Sequence, residues 1–310
     1  MTEAEADTKT TLLSTLPAKM QHSFFGRIFL PLFEEYKTLT GIMTWLGLAL
    51  LVAFIFIAVA APFIAPYDPE AIFVGERNEA PSAEHIMGTD RLGRDLFSRV
   101  LWGSRTSLLI MLTAVSTALA VGLPLGLFSG YIGGYVDRAL VVVMDSIYSF
   151  PGILLAIALS IALGKGILNI SLAITVIYIP LYFRVIRNHV ISVKQELFVE
   201  AARALGARAS TVIKSYITFN VIISIPVLLS INAADAVLTA AGLSFLGFGL
   251  EEPIPDWGLD LGRGQPFLTV GVWWTSFFPG LMIIILTAGL SMLGEGLNDL
   301  INPLLRKERT

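Results

Sequence analysis

The sequence predicts an all-α membrane protein with six transmembrane helices and both termini in the cytoplasm. Three observations carry this prediction. First, 55% of the 310 residues are hydrophobic and only 15% are charged, against about 25% charged in an ordinary soluble domain. That balance also excludes a disordered chain, which needs low hydrophobicity and high charge. Second, the charges are absent over long runs: 38–67, 106–136, 146–164, 166–183, 215–234 and 264–294. A helix needs about 20 apolar residues to cross a bilayer core about 30 Å thick, which places spans at 42–65, 105–129, 140–163, 168–188, 215–246 and 273–297. Third, these runs lack the alternation of apolar and polar residues that a membrane β-barrel requires.

Lysine and arginine set the orientation, because they concentrate on the cytoplasmic side. With six spans both termini share a side. That side holds fourteen of the 21 basic residues, six of them between Arg184 and Lys214. The chain has no cysteine, which excludes disulfide scaffolds, thiolate metal sites and thiol catalysis. A net charge of −3 excludes a strongly basic nucleic-acid binder.

Taken in order, residues 1–20 read as a polar cytoplasmic tail. Residues 21–40 read as an amphipathic helix lying in the membrane interface, with Phe25, Ile28, Phe29, Leu32, Phe33 and Tyr36 on one face and Pro31 bending it. The first span, 41–66, contains Ala58-Val59-Ala60, which resembles a signal cleavage site. The polar segment before it and its apolar length instead predict a retained helix. The stretch 67–104 is extracytoplasmic. Within it, Thr89 or Asp90 can cap a helix start, and the Asp90/Arg94 and Asp95/Arg99 pairs have the spacing at which opposite charges meet on a helix.

Residues 105–300 form the five-helix core, and 301–310 a cytoplasmic tail. In the second span Ala118, Gly122, Gly126, Gly130 and Gly134 recur every fourth residue. They make a flat stripe on which another helix or a second subunit can pack closely. Pro124, Pro151, Pro180, Pro226 and Pro279 mark bends in the last five spans. Asp235 lies inside the fifth span, where an ionisable group is costly and faces a cavity or a partner. With Asn232 and Thr239 it shares a helical face. Two roles fit: lining a pathway for a cationic group, or an internal pairing that holds helices together.

Enzyme chemistry finds no foothold. No phosphate-binding glycine loop and no His-Glu-x-x-His metal motif occur. His22, His85 and His189 lie in separate segments, so neither a catalytic cluster nor a metal site is expected.

The cytoplasmic loop 190–214 contains Glu200-Ala201-Ala202-x-x-x-Gly206, with Leu197, Ala201 and Leu205 forming an apolar stripe. A short amphipathic helix of this kind can dock into a groove of another protein. The motif resembles the signature loop of binding-protein-dependent ABC importer permeases. Further segments narrow the resemblance to the second, C-type permease of dipeptide, oligopeptide and nickel importers. These are Gly88-Thr89-Asp90-x-x-Gly93-Arg94-Asp95-x-x-Ser98-Arg99, Gly103-x-Arg105-x-Ser107-Leu108, Leu243-Ser244-Phe245-Leu246-Gly247, Asp256-Trp257-Gly258, Phe278-Pro279-Gly280 and Gly294-x-Gly296-Leu297. Together they cover roughly residues 40–305.

The resemblance implies a type I ABC importer permease in the cytoplasmic membrane of a prokaryote, without catalysis of its own. It implies a coupling helix in which Glu200 bonds to an ATPase subunit, Ala201 and Ala202 pack closely and Gly206 permits a turn. The implied partners are a homologous second permease, two ATPase subunits that hold ATP and magnesium, and an external substrate-binding protein. That protein would dock near Asp90, Arg94, Asp95, Asp256 and Trp257. Three segments depart from the family pattern: Thr218-Phe219-Asn220 stands for Leu-Pro-Asn with Phe219 in the proline's place, Ala240 replaces an acid, and Asn302-Pro303-Leu304 stands for a closing Asp-Pro-Arg. They leave the substrate open among peptide, nickel chelate, opine and oligosaccharide. A secondary transporter would show internal repeats and unwound half-helices, and no convincing repeat occurs. A purely structural membrane subunit would tolerate loss of Glu200 or Gly206.

Overall fold

The computed structural model describes residues 38–301. The predicted tail 1–20, residues 21–37 of the predicted interfacial helix and residues 302–310 lie outside that range, while 38–40 open the first span instead. Among the described residues the elements are helical, with a lone bridge between Thr89 and Asp95.

Helix α1 spans Leu39–Ile64, and the Thr38 hydroxyl caps it by accepting the Gly41 amide at 3.0 Å. Helix α2 spans Leu96–Ile132. Next come α3 (Gly134–Tyr148), α4 (Gly152–Leu163) and α5 (Ile167–Lys194). A short helix α6 covers Leu197–Ala204. Residues 209–222 are a run of helical turns that includes a wide turn at Val212–Ile217. Helix α7 spans Ile225–Phe245, α8 spans Trp257–Gly264, and α9 spans Trp274–Ile301.

Five of these helices (α1, α2, α5, α7 and α9) are long and apolar enough to cross a membrane, and α3 with α4 makes a sixth if counted as one bent span. The closest packing joins α2 to α5, α1 to α9 and α7 to α9. One buried apolar cluster runs through them, from Ile110, Ala114 and Ala118 of α2 across Ile174, Tyr178, Tyr182 and Ile186 of α5 to Ala236, Val237 and Leu243 of α7 and Leu286 and Leu290 of α9.

Three predicted spans change. The third is not a straight helix over 140–163: α3 and α4 meet at 87°. Pro151 stands at that break, where its ring excludes a continuous helix. The second span begins nine residues before the predicted position 105. Its 37 residues make a rod of about 55 Å, longer than a bilayer core of about 30 Å, so part of it extends beyond that core. The fifth is continuous only over Ile225–Phe245, because 215–224 belongs to the run of turns that includes Val212–Ile217.

The glycine stripe also resolves. A Cβ on Gly122 would lie 2.6 Å from Tyr182, on Gly126 2.9 Å from Ile186, and on Gly130 2.8 Å from Val190. These three therefore seat α5 directly on the α2 backbone, within one chain. Gly134 does not share that seam. It opens α3 with a φ of +67° and nothing within 4 Å of its missing side chain.

Candidate functional site

The coupling motif forms its own element. Helix α6 is anchored by Val199 and Ala202, which are buried, while Glu200, Ala201, Arg203 and Gly206 face outward. Gly206 ends the helix with a φ of +83°. Its amide donates to the Arg203 carbonyl at 2.9 Å, and the Ala207 amide donates to the Ala202 carbonyl at 3.0 Å. This is the paired closure of a helix C-terminus that favours glycine. Leu197 and Leu205 are 81% and 89% exposed, so the predicted apolar stripe faces away from the chain's own core. The helix is braced against the rest of the chain. Lys194 Nζ donates to the Tyr131 carbonyl at 2.5 Å, the Arg203 guanidinium lies 5.4 Å from the centre of the Tyr131 ring, and the Phe198 and Tyr216 rings are 6.4 Å apart.

The outer residues are arranged differently from the prediction. Asp95, not Thr89 or Asp90, caps α2. One carboxylate oxygen accepts the Ser98 amide at 2.8 Å and the Ser98 hydroxyl at 2.7 Å, and the other contacts His85 Nδ1 at 2.9 Å. Asp90 and Arg94 do pair, at 2.6 Å, within the turn before the helix. Asp95 and Arg99 do not. Arg99 is fully buried and bonds instead to both oxygens of Asp260, at 2.7 to 3.1 Å, and to the Pro69 and Pro253 carbonyls. Each guanidinium proton must find an acceptor once water is excluded, and Arg99 finds them on two separate loops. Asp260 lies 161 positions further along the chain, beyond the reach of any local spacing argument.

Asp256 caps α8 by accepting the Leu259 amide at 2.7 Å. Burial pushes its carboxyl up to about 6, against the pull of that hydrogen bond. Trp257 is buried between α1 and α2: its Nε1 donates to the Val100 carbonyl at 2.9 Å and its ring meets Phe54 edge-on. Gly103 accommodates that ring, since a Cβ there would lie 2.5 Å from it. Burial disfavours the charge on Glu252, but the Arg91 hydrogen bond and the Arg91, Arg94 and Arg263 charges outweigh it and lower its pKa.

Asp90, Arg94, Asp95, Asp256 and Trp257 are all buried within the chain. Their side chains are taken up by contacts within the chain. They clamp segment 67–95, α2 and α8 into one platform.

Of Asn232, Asp235 and Thr239 on α7, Asp235 lines a cavity of about 370 Å³ bounded also by residues of α4, α5 and the α3–α4 break. Its carboxylate accepts a hydrogen bond from the Tyr178 hydroxyl at 2.5 Å. Asn232 is buried and Thr239 half-buried, and neither reaches that cavity. Sequence spacing groups Asn232, Asp235 and Thr239 but does not reveal Tyr178, which comes from α5. Among the described residues no group of three potential metal-ligating side chains occurs.

Long apolar helices sharing one core define a multi-pass membrane protein. The model of binding-protein-dependent transport system inner membrane components matches residues 122–307. That of the N-terminal transmembrane domain of oligopeptide transport permease C matches residues 43–81. The chain is 37% identical to a dipeptide transport system permease protein of Alkalihalophilus pseudofirmus, over 84% of this chain and 85% of the relative. It is 40% identical to glutathione transport system permease proteins of Shigella flexneri, over 81% and 83%, and of Salmonella typhimurium, over 82% and 84%. The chain belongs to this family of ABC importer permeases, in its C-type branch.

Proposed function

We propose that this chain forms half of the pathway of an ATP-driven importer for peptides or a related small solute. A homologous permease supplies the other half, and an external binding protein delivers the solute. ATP and magnesium act on two ATPase subunits rather than on this chain. Both termini face the cytoplasm of a prokaryotic cell, and six spans cross its inner membrane, α3 and α4 together making one. Peptide is favoured as cargo because the relatives named above are dipeptide and glutathione permeases.

The observation that carries the reading is α6. An exposed apolar stripe beside Glu200, on a helix braced to the bundle through Tyr131 and closed by Gly206, suits a rigid lever seated in a cleft of an ATPase subunit. A helix that only finished a loop would bury Leu197 and Leu205, since burying each would contribute about 1.5–3 kcal/mol. Closure of the ATPase pair would move α6, and with it α5 and the end of α2.

The test uses the complete importer in proteoliposomes. Glu200→Arg places a like charge against the basic partners that an acid here would meet, and Gly206→Pro cannot adopt the positive φ. Both are expected to abolish substrate-stimulated ATP hydrolysis and uptake while the complex still assembles. Full uptake by either variant overturns the coupling reading and favours a structural subunit.

A further inference from the structure

We propose that the cavity at Asp235 is a transient site for the ammonium group of the transported solute. The inference rests on the permease reading and adds the chemistry that the pathway recognises at its centre. Asp235 is the midpoint of the 21-residue helix α7. It therefore lies about 15 Å from either end, near the middle of a bilayer core about 30 Å thick. A carboxylate at that depth needs a counter-charge or an aqueous cavity. Its partner here is the neutral Tyr178 hydroxyl. No Lys, Arg or His lines the cavity, and none of the ion pairs among the described residues includes Asp235.

The walls supply what a mobile cation needs. Phe150 and Tyr178 bring aromatic rings to the same cavity, and ring faces attract ammonium groups; the third ring, Tyr148, already carries the Arg184 guanidinium 4.5 Å from its centre. A volume of about 370 Å³ is in the range that holds a small organic solute. A divalent metal is disfavoured, because such ions gather several oxygen ligands and only one carboxylate lines the cavity. One carboxylate oriented by one hydroxyl binds an ammonium weakly enough to release it, as a pathway site must.

The absence of cysteine from the chain gives a direct test. Leu155→Cys places a single thiol on the cavity wall of this chain in the assembled importer, in membrane vesicles. Its labelling by a trimethylammonium methanethiosulfonate is compared with labelling by the sulfonate analogue, each rate divided by that of a free thiol. The expected cation-to-anion preference is at least tenfold. Asp235→Asn is expected to bring it within twofold of unity, and Asp235→Glu to retain it. Tri-alanine should slow the cationic reagent at least threefold, and N-acetyl-tri-alanine should not. A preference near unity, a preference unchanged by Asp235→Asn, equal protection by the two peptides, or no labelling by either reagent overturns the proposal. Uptake by the same vesicles reports the permease reading separately: wild-type vesicles without ATP-driven uptake would remove that reading, whatever the labelling shows.

Discussion

Arg99 shows what one residue does in this protein. Its guanidinium joins α2 to α8 through Asp260 and to two loops through backbone carbonyls, with no water access. Taking both charges out of water is costly, and removing one partner leaves the other uncompensated, a loss of about 3–5 kcal/mol. Asp260→Asn is therefore expected to lower the thermal midpoint of the detergent-solubilised protein sharply, as read by intrinsic fluorescence. The double variant Arg99→Met with Asp260→Leu should recover much of the loss, because two apolar groups leave no unpaired charge. A midpoint unchanged by Asp260→Asn would show that the pair is not sealed from water. The spacing of Asp95 and Arg99 suggested a local pair, but Asp95 is committed to capping α2 and to His85. Local spacing says which partners are within reach, and burial decides which one is taken.

Between elements, close backbone approach explains two of the glycines. Gly258 is required because a Cβ there would lie 2.3 Å from the Ala241 carbonyl oxygen, so Asp256-Trp257-Gly258 is the contact of α8 on α7. Gly126 has the same role between α2 and α5, where a Cβ would meet both Ile186 and the Phe183 carbonyl at 2.9 Å. Overpacking of this kind costs about 1–3 kcal/mol. Gly126→Ala is expected to destabilise the protein by that amount in reversible unfolding from mild detergent. Gly242→Ala, whose Cβ would meet only Ile153 at 3.7 Å, should be neutral or slightly stabilising. Equal effects at the two sites would mean that α5 yields easily, and the tight seam would then carry no energetic weight. The every-fourth spacing of small residues was legible in the sequence. Which helix fills the stripe was not, and Gly134 shows that a residue in register can belong to a different element.

For the whole molecule, polar groups gather in a buried platform around α8, at the acid of α7 and on the loop helix α6. The platform is internally paired through buried ions, whereas α6 leaves apolar side chains outward. The two ends are thus built for different tasks, one to stay rigid and one to be gripped. Orientation decides which end meets ATP. Cysteine scanning tests it on this cysteine-free chain. In intact cells, with the outer membrane permeabilised where one is present, Glu84→Cys is expected to react with a membrane-impermeant maleimide. Arg208→Cys is expected to react only after the inner membrane is opened. Both positions are exposed in the chain, so the reverse pattern would invert the topology.

By itself the sequence determined that this is a multi-pass helical membrane protein, where most of its spans lie, and that a helix with a glycine end sits between the spans corresponding to α5 and α7. Those properties follow from composition and local periodicity, because a bilayer imposes a length on apolar runs and a helix C-terminus imposes a φ on its glycine. Only the tertiary structure decided that α3 and α4 break at Pro151, that Arg99 belongs to Asp260, that Trp257 and its neighbours are internal, and that Tyr178 meets Asp235. Each of these is a choice among distant partners that local sequence leaves equivalent. Packing settles it, because a buried polar group must pair with whichever acceptor or donor the fold brings within about 3 Å.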